Sequence, residues 1–178
     1  MKRSVSLLLA ISLLVCAGCG ARRGLLERVS DKRRALETGF SFTAEVRAEL
    51  SDSDFECVLD CSFENGDTVI TVVSPELLAG ITARAEDGEL TLSYGSLSLS
   101  MGAEGLSPVG AMPYITRALT QAQLTEAYTE NGEAVLHAYI GEDTYVLLRL
   151  DGESLDPVYA ELICGGRAVI KCVFSDFT

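Results

Sequence analysis

Histidine is nearly absent from this chain: the 178 residues contain one, His137. Acid–base catalysis and metal binding use that side chain more than any other. The single copy lies in "AVLHAYI", on a strand-like face with Val135 and Tyr139, and reads as packed or solvated. The motifs of the common catalytic sites are missing as well. No G-x-S-x-G, H-E-x-x-H or G-x-x-x-x-G-K-[ST] occurs. Their absence removes the nucleophile elbow, the zinc-protease helix and the phosphate-binding loop. Carboxylates such as Glu142 and Asp143 gather at turns, where solvated ones belong, and "DSDFE" lacks the ordered spacing of a calcium loop. No catalytic residue, metal site or cofactor is therefore expected, and the chain is not read as an enzyme. Basic charge is also scarce beyond the first part of the chain. Residues 39–178 carry six basic and twenty-three acidic side chains, a net of −17. A body of that sign excludes nucleic acid as a partner.

What is present begins with Lys2 and Arg3, followed by leucine, isoleucine, valine, alanine and serine from Val5 to Val15. A charged start, an apolar middle and a small-residue end have the form of an export signal. The apolar part is shorter than the ~20 residues that span a bilayer. Two cysteines follow in "LLVCAGCGARR". A C-x2-C pair can open a zinc site, but no second pair stands at metal spacing nearby. The segment instead resembles a bacterial lipobox. Cys19 follows Ala17 and Gly18, with Cys16 in the place usually held by leucine; Cys16 itself follows Leu14 and Val15, and valine suits the small pocket poorly. The resemblance implies that Cys19 carries a diacylglyceryl group and becomes the first mature residue. The alternative is an ordinary cut near Ala21, which would release a secreted chain.

Removing residues 1–18 leaves 160 residues, one domain's worth, with ~70% of its surface buried on folding. Residues 20–38 carry six basic and three acidic side chains. Directly after a lipid-bearing cysteine, this collar would lie against anionic headgroups, where each basic residue adds ~1 kcal/mol. The division is thus 1–18 signal, 19–38 lipidated cysteine, basic collar and first helix, and 39–178 body, with one globular unit over 22–178.

Residues 22–38 read as a helix, with Leu25, Leu26, Val29 and Leu36 in a stripe that Arg33 interrupts. After Gly39 the period becomes two. "FSFTAEVRAEL", "FECVLDCSF", "TVITVVS", "ITARA", "ELTLSY" and "SLSLSM" read as six strands. Asn65-Gly66 is a strong hairpin signal. "PELLAG" reads as a turn or a single helical turn, "GAEGLSPVGAMP" as a loop, and "YITRALTQAQ" from Tyr114 as a second helix. Strands over 133–140, 144–151, 157–164 and 167–176 follow, with 124–130 as a candidate fifth. Short turns make sequential strands pair. The fold class is mainly β with two helices (α+β), an antiparallel meander.

This order resembles the LolA/LolB lipoprotein-carrier family and the related lipid-binding and germination-type lipoproteins. "GFSFTAEV", "SPELLAGI", "LDGESLDPVYAEL" and "VFSDF" resemble the family's phrases. The resemblance implies an incomplete β-barrel closed by helices. Its concave face would be lined by Phe42, Val46, Ala48, Leu59, Leu90, Leu92 and Leu99, with Ile115 and Leu119 of the second helix above. The function so implied is that of a surface lipoprotein, extracytoplasmic and anchored to a membrane, binding a lipid or acylated partner in that cavity. The alternative is a non-enzymatic scaffold of the same fold with a filled core, recruiting an envelope protein. Inward side-chain volume separates the two. Phe40, Phe42, Phe55 and Phe63 mix with Ala44, Ala48, Cys57 and Cys61, which suits a narrow cavity and an interlocked core equally.

Cys57 and Cys61 lie on one face of one strand, about 13 Å apart at ~3.3 Å per residue, beyond the ~7 Å limit for a bridge. Free thiols acting as small apolar residues are expected at Cys57, Cys61, Cys164 and Cys172. The alternative is a cross-strand bridge such as Cys61 to Cys172.

Overall fold

Two-residue periodicity from Phe40 onward becomes, in the computed structural model of the chain, one continuous antiparallel sheet. The structure describes residues 24–50, 53–102 and 107–178. The signal segment, Cys16 and Cys19 lie outside the described residues.

Helix α1 covers residues 24–36. Strands β1 (Phe40–Leu50), β2 (Ser53–Glu64), β3 (Asp67–Ser74), β4 (Thr82–Glu86), β5 (Glu89–Tyr94) and β6 (Leu97–Gly102) follow. Helix α2 is Pro108–Thr120. Strands β7 (Gln123–Glu130), β8 (Glu133–Gly141), β9 (Thr144–Leu150), β10 (Pro157–Cys164) and β11 (Arg167–Ser175) complete the chain. The order across the sheet is β6-β5-β4-β3-β2-β1-β11-β10-β9-β8-β7. The first and last strands therefore pair at its centre, and β6 and β7 are its edges. The sheet stays open, and the helices lie against one face, as an incomplete barrel requires.

Tight turns set this register. Asn65 and Gly66 connect paired Glu64 and Asp67 with φ of 52° and 103°. Two positive φ values are what a type I′ hairpin demands, and Asn-Gly supplies them at least cost.

α2 begins at Pro108, six residues earlier than its apolar spacing indicates. Ser107 caps it, its hydroxyl accepting from Gly110 N–H at 3.0 Å. Pro108 occupies the first turn, where a missing N–H costs nothing. Ser107-Pro108, inside the stretch read as a loop, is a helix start signal. The helix ends at Thr120, and the chain re-enters the sheet at Gln123, so the candidate strand over 124–130 is β7.

In α1 the predicted stripe divides: Leu25, Val29 and Leu36 are buried, whereas Leu26 is 41% exposed. Arg33 does not interrupt the stripe. Its Nη2 donates to the Ala122 carbonyl at 2.6 Å, and burial lowers the guanidinium pKa. Arg28 donates to the carbonyls of Gly152 and Glu153 at 3.0 and 2.8 Å, and Lys32 pairs with Asp156 at 2.6 Å. Two side chains of the basic collar thus tie α1 to the 151–156 loop, and a third ties it to the end of α2.

The candidate binding face

On the strands, alternate side chains point to the concave side, and directly paired residues share a face. Phe42, Ala44, Val46 and Ala48 of β1 stand opposite Cys61, Leu59, Cys57 and Phe55 of β2. On the other flank of β1, Ala44, Val46 and Ala48 face Phe174, Cys172 and Ile170. α2 lies over this surface with Ala111, Met112, Ile115, Ala118 and Leu119 buried. It contacts β1, β2 and β3 on one side and β8, β9 and β10 on the other. Its small residues permit that close approach to both halves. Thr116 and Thr68 share a buried hydroxyl hydrogen bond of 2.8 Å, which satisfies both groups inside the apolar layer.

Of the nine residues expected to line a cavity, Phe42, Val46, Ala48, Leu59, Leu90, Ile115 and Leu119 belong to this one buried cluster. Leu92 packs against its border. Leu99 is directly opposite Leu92 but is 60% exposed. Ala48, Leu59 and Ile115 have 0% exposure, so no space as large as a water molecule touches them. Where α1 and α2 meet β8 and β9, the void between Val29, Arg33, Leu119, Leu136, Leu148 and Leu155 is about 10 Å³. At one end of the cluster Phe40 stacks on Phe63 and Phe177 at 5.1 and 5.5 Å, and Phe42 meets Phe174 edge-on at 5.1 Å. Such contacts each add ~0.5–1.5 kcal/mol beyond area burial.

A groove of about 220 Å³ opens between α2 and the β4–β5 turn, bordered by Phe63, Thr68, Ala85, Pro113 and Arg117. Pockets for drug-sized ligands run to roughly 300–1,000 Å³, so this one is small. A broader groove of about 430 Å³ crosses the convex side beside Arg47, Glu56, Tyr159 and Lys171. Its cations are already paired, Arg47 with Glu56 at 2.6 Å and Lys171 with Glu49.

Beyond α2 the concave face is not covered by the described residues. Tyr94, Leu97 and Leu99 share that face with Leu90 and Leu92, and they are 57%, 73% and 60% exposed. The alternation in "ELTLSYGSLSLSM" shows which side chains share a face. It does not show where the covering helix stops.

Cys57, Cys61 and Cys172 are buried, Cys164 is half-buried, and all four are free thiols. Burial raises the Cys57 thiol to about 11 and pushes Cys61 and Cys172 higher still. Thiolate is the reactive form. Alkylation of the folded chain at pH 8 is therefore expected to modify Cys164 rapidly and the three buried thiols only after denaturation. Mass spectrometry of the mature protein would then count four added groups in denaturant without reductant; a count of two or fewer would mean a bridge.

His137 lies on the convex side, its ring 6.2 Å from that of Tyr128. Its Nε2 is buried and meets no hydrogen-bond partner among the described residues. Among those residues no cluster of histidine, cysteine or carboxylates can hold a metal ion, and no helix is long and apolar enough to cross a membrane.

This arrangement defines the class: an open antiparallel half-barrel with a helix-covered apolar face. Three solved structures are similar to the chain in fold. A LolA superfamily protein from Nitrosomonas europaea matches with a TM-score of 0.47 and 13% identity, over 85% of this chain and 92% of that one. A chain in the complex of the CwlD amidase with the GerS lipoprotein from Clostridioides difficile matches with a TM-score of 0.47 and 18% identity, over 89% and 94%. The Mycobacterium tuberculosis lipoprotein LppX matches with a TM-score of 0.41 and 10% identity, over 84% and 91%. No family model matches the chain, and no curated protein matches it.

Proposed function

We propose that the chain is a non-enzymatic lipoprotein of the cell envelope, extracytoplasmic and held on a membrane by acyl chains on Cys19. Residues 1–18 are its signal, and its half-barrel recruits or regulates an envelope protein through its outer surfaces. The observation that carries this reading is the packing under α2. Ala48, Leu59 and Ile115 have 0% exposure, and the void where α1 and α2 meet β8 and β9 is about 10 Å³. An acyl chain gains ~0.8 kcal/mol per buried methylene only where there is space to receive it. Close packing at these described residues favours the outer surfaces as the binding part.

The second reading, a hydrophobic ligand such as a lipid or acylated partner, is favoured by the uncovered strip of Tyr94, Leu97 and Leu99. Extraction from host membranes in mild detergent separates the two. A co-purifying protein supports recruitment, and stoichiometric bound lipid supports the ligand reading. In the same fractionation Cys19→Ala is expected to leave the membrane fraction or to remain unprocessed. Multiple acyl chains anchor far better than one, so this single change removes most of the attachment. A variant that is processed and fractionates like wild type would refute the anchor.

A further inference from the structure

The two edges of the sheet differ in a way that folding alone does not require. An open edge presents unpaired N–H and C=O groups, and proteins guard such edges with charges, proline or short strands. β7 carries Glu126 and Glu130, both exposed. β6, "LSLSMG", has no charged residue and no proline, and Leu97 and Leu99 stand 73% and 60% exposed. In a chain whose body has a net charge of −17, a neutral strand at the sheet's edge is the one least prepared for water.

β5 shows what kind of neighbour β6 accepts. Leu92 lies opposite Leu99, Ser93 opposite Ser98 and Thr91 opposite Ser100. The last pair joins its hydroxyls at 3.1 Å. The rule is leucine against leucine on the concave side and hydroxyl against hydroxyl on the convex side. Reversed in direction, β6 obeys the same rule against itself. With a two-fold axis at Leu99, Leu99 meets Leu99 and Ser98 meets Ser100. Directly opposed residues must share a face, so this parity extends both apolar faces into one.

Charge favours the antiparallel arrangement. Glu86, Asp87 and Glu89 lie at the end of the β5–β6 pair where Glu89 opposes Gly102, while the Tyr94–Leu97 end is uncharged. The two-fold places the acidic end of each copy beside the neutral end of the other. A parallel arrangement would bring the like charges together.

We infer that β6 is a self-association edge, and that two copies of this chain pair antiparallel through it into one continuous sheet with a shared concave apolar strip. The interface is isologous, the commonest form of homodimer. This goes beyond the recruitment reading, which survives if the dimer does not exist.

The test is the protein mass of the full chain in mild detergent, by light scattering coupled to size exclusion. Wild type is expected at twice the mass of one chain, and Leu99→Lys at the mass of one, because two lysines would oppose each other at the axis. Leu99 is largely exposed, so the variant should melt within a few degrees of wild type. Glu126→Lys on the other edge should leave the dimer intact. A monomeric wild type, with or without bound lipid, overturns the inference. So does a dimer that survives Leu99→Lys, or open-ended assembly growing with concentration, which would mean β6 pairing with β7.

Discussion

Replacing Gly152 by alanine is expected to destabilise the chain strongly, although it adds a single methyl group. A Cβ at Gly152 would lie 1.8 Å from the Gly132 carbonyl oxygen and 3.0 Å from its carbon. Both are backbone atoms of the β7–β8 turn, so no side chain can rotate away. One loop or the other must move. The loop is tightly made: Asp151 accepts from the N–H groups of Glu153 and Ser154 at 2.9 and 2.8 Å, bonds that hold its carboxyl below the usual range. Leu155 is buried there at a φ of 59°, a conformation leucine rarely adopts. The same loop receives Arg28 and Lys32 from α1. A shift at Gly152 would therefore loosen the first helix as well as the turn. Overpacking costs ~1–3 kcal/mol or more, and here the upper figure applies. For a chain of this size that lowers the melting temperature by roughly 6–12 °C. Thermal unfolding followed by circular dichroism would show it. Gly141→Ala is the control: nothing lies within 4 Å of its Cβ position. Equal melting of the two variants would refute the close approach.

Ala48→Trp tests the interior. Ala48 stands between Phe55 and Ile170 with no exposed surface. An indole there has no void to enter and must displace its neighbours. The expected cost is ~1–3 kcal/mol or more, a fall in melting temperature of at least about 2–4 °C. Wild type is expected to bind no fluorescent fatty-acid probe in its interior. The opposite pair of results, probe binding by wild type that Ala48→Trp abolishes at unchanged melting temperature, would establish a cavity and transfer the proposed function to the ligand reading.

Much of this molecule was determined by local sequence. Alternation in "FSFTAEVRAEL" places Phe42, Val46 and Ala48 on one face wherever the strand lies, because strand side chains alternate by geometry alone. Asn65-Gly66 dictates its hairpin through backbone sterics. Every strand from β8 onward begins and ends within a residue of its sequence reading, since glycine- and aspartate-bearing turns bound each one. The start of α2 was written there too, in Ser107-Pro108, but the same residues serve loops, and only the buried face of the helix decides between the two uses.

The tertiary structure alone decided the rest. Arg33 reads as a break in an apolar stripe until Ala122, 89 positions away, supplies a carbonyl. Gly152 reads as an ordinary turn glycine until Gly132 comes against it. Leu92 and Leu99 carry the same alternation signal, yet one borders the core and the other is open to solvent. Which of them is covered depends on where α2 crosses the sheet. Whether inward phenylalanines and alanines leave a cavity or close it depends on how α1 and α2 settle onto the sheet. Those contacts join residues far apart in the chain, and no local period encodes them.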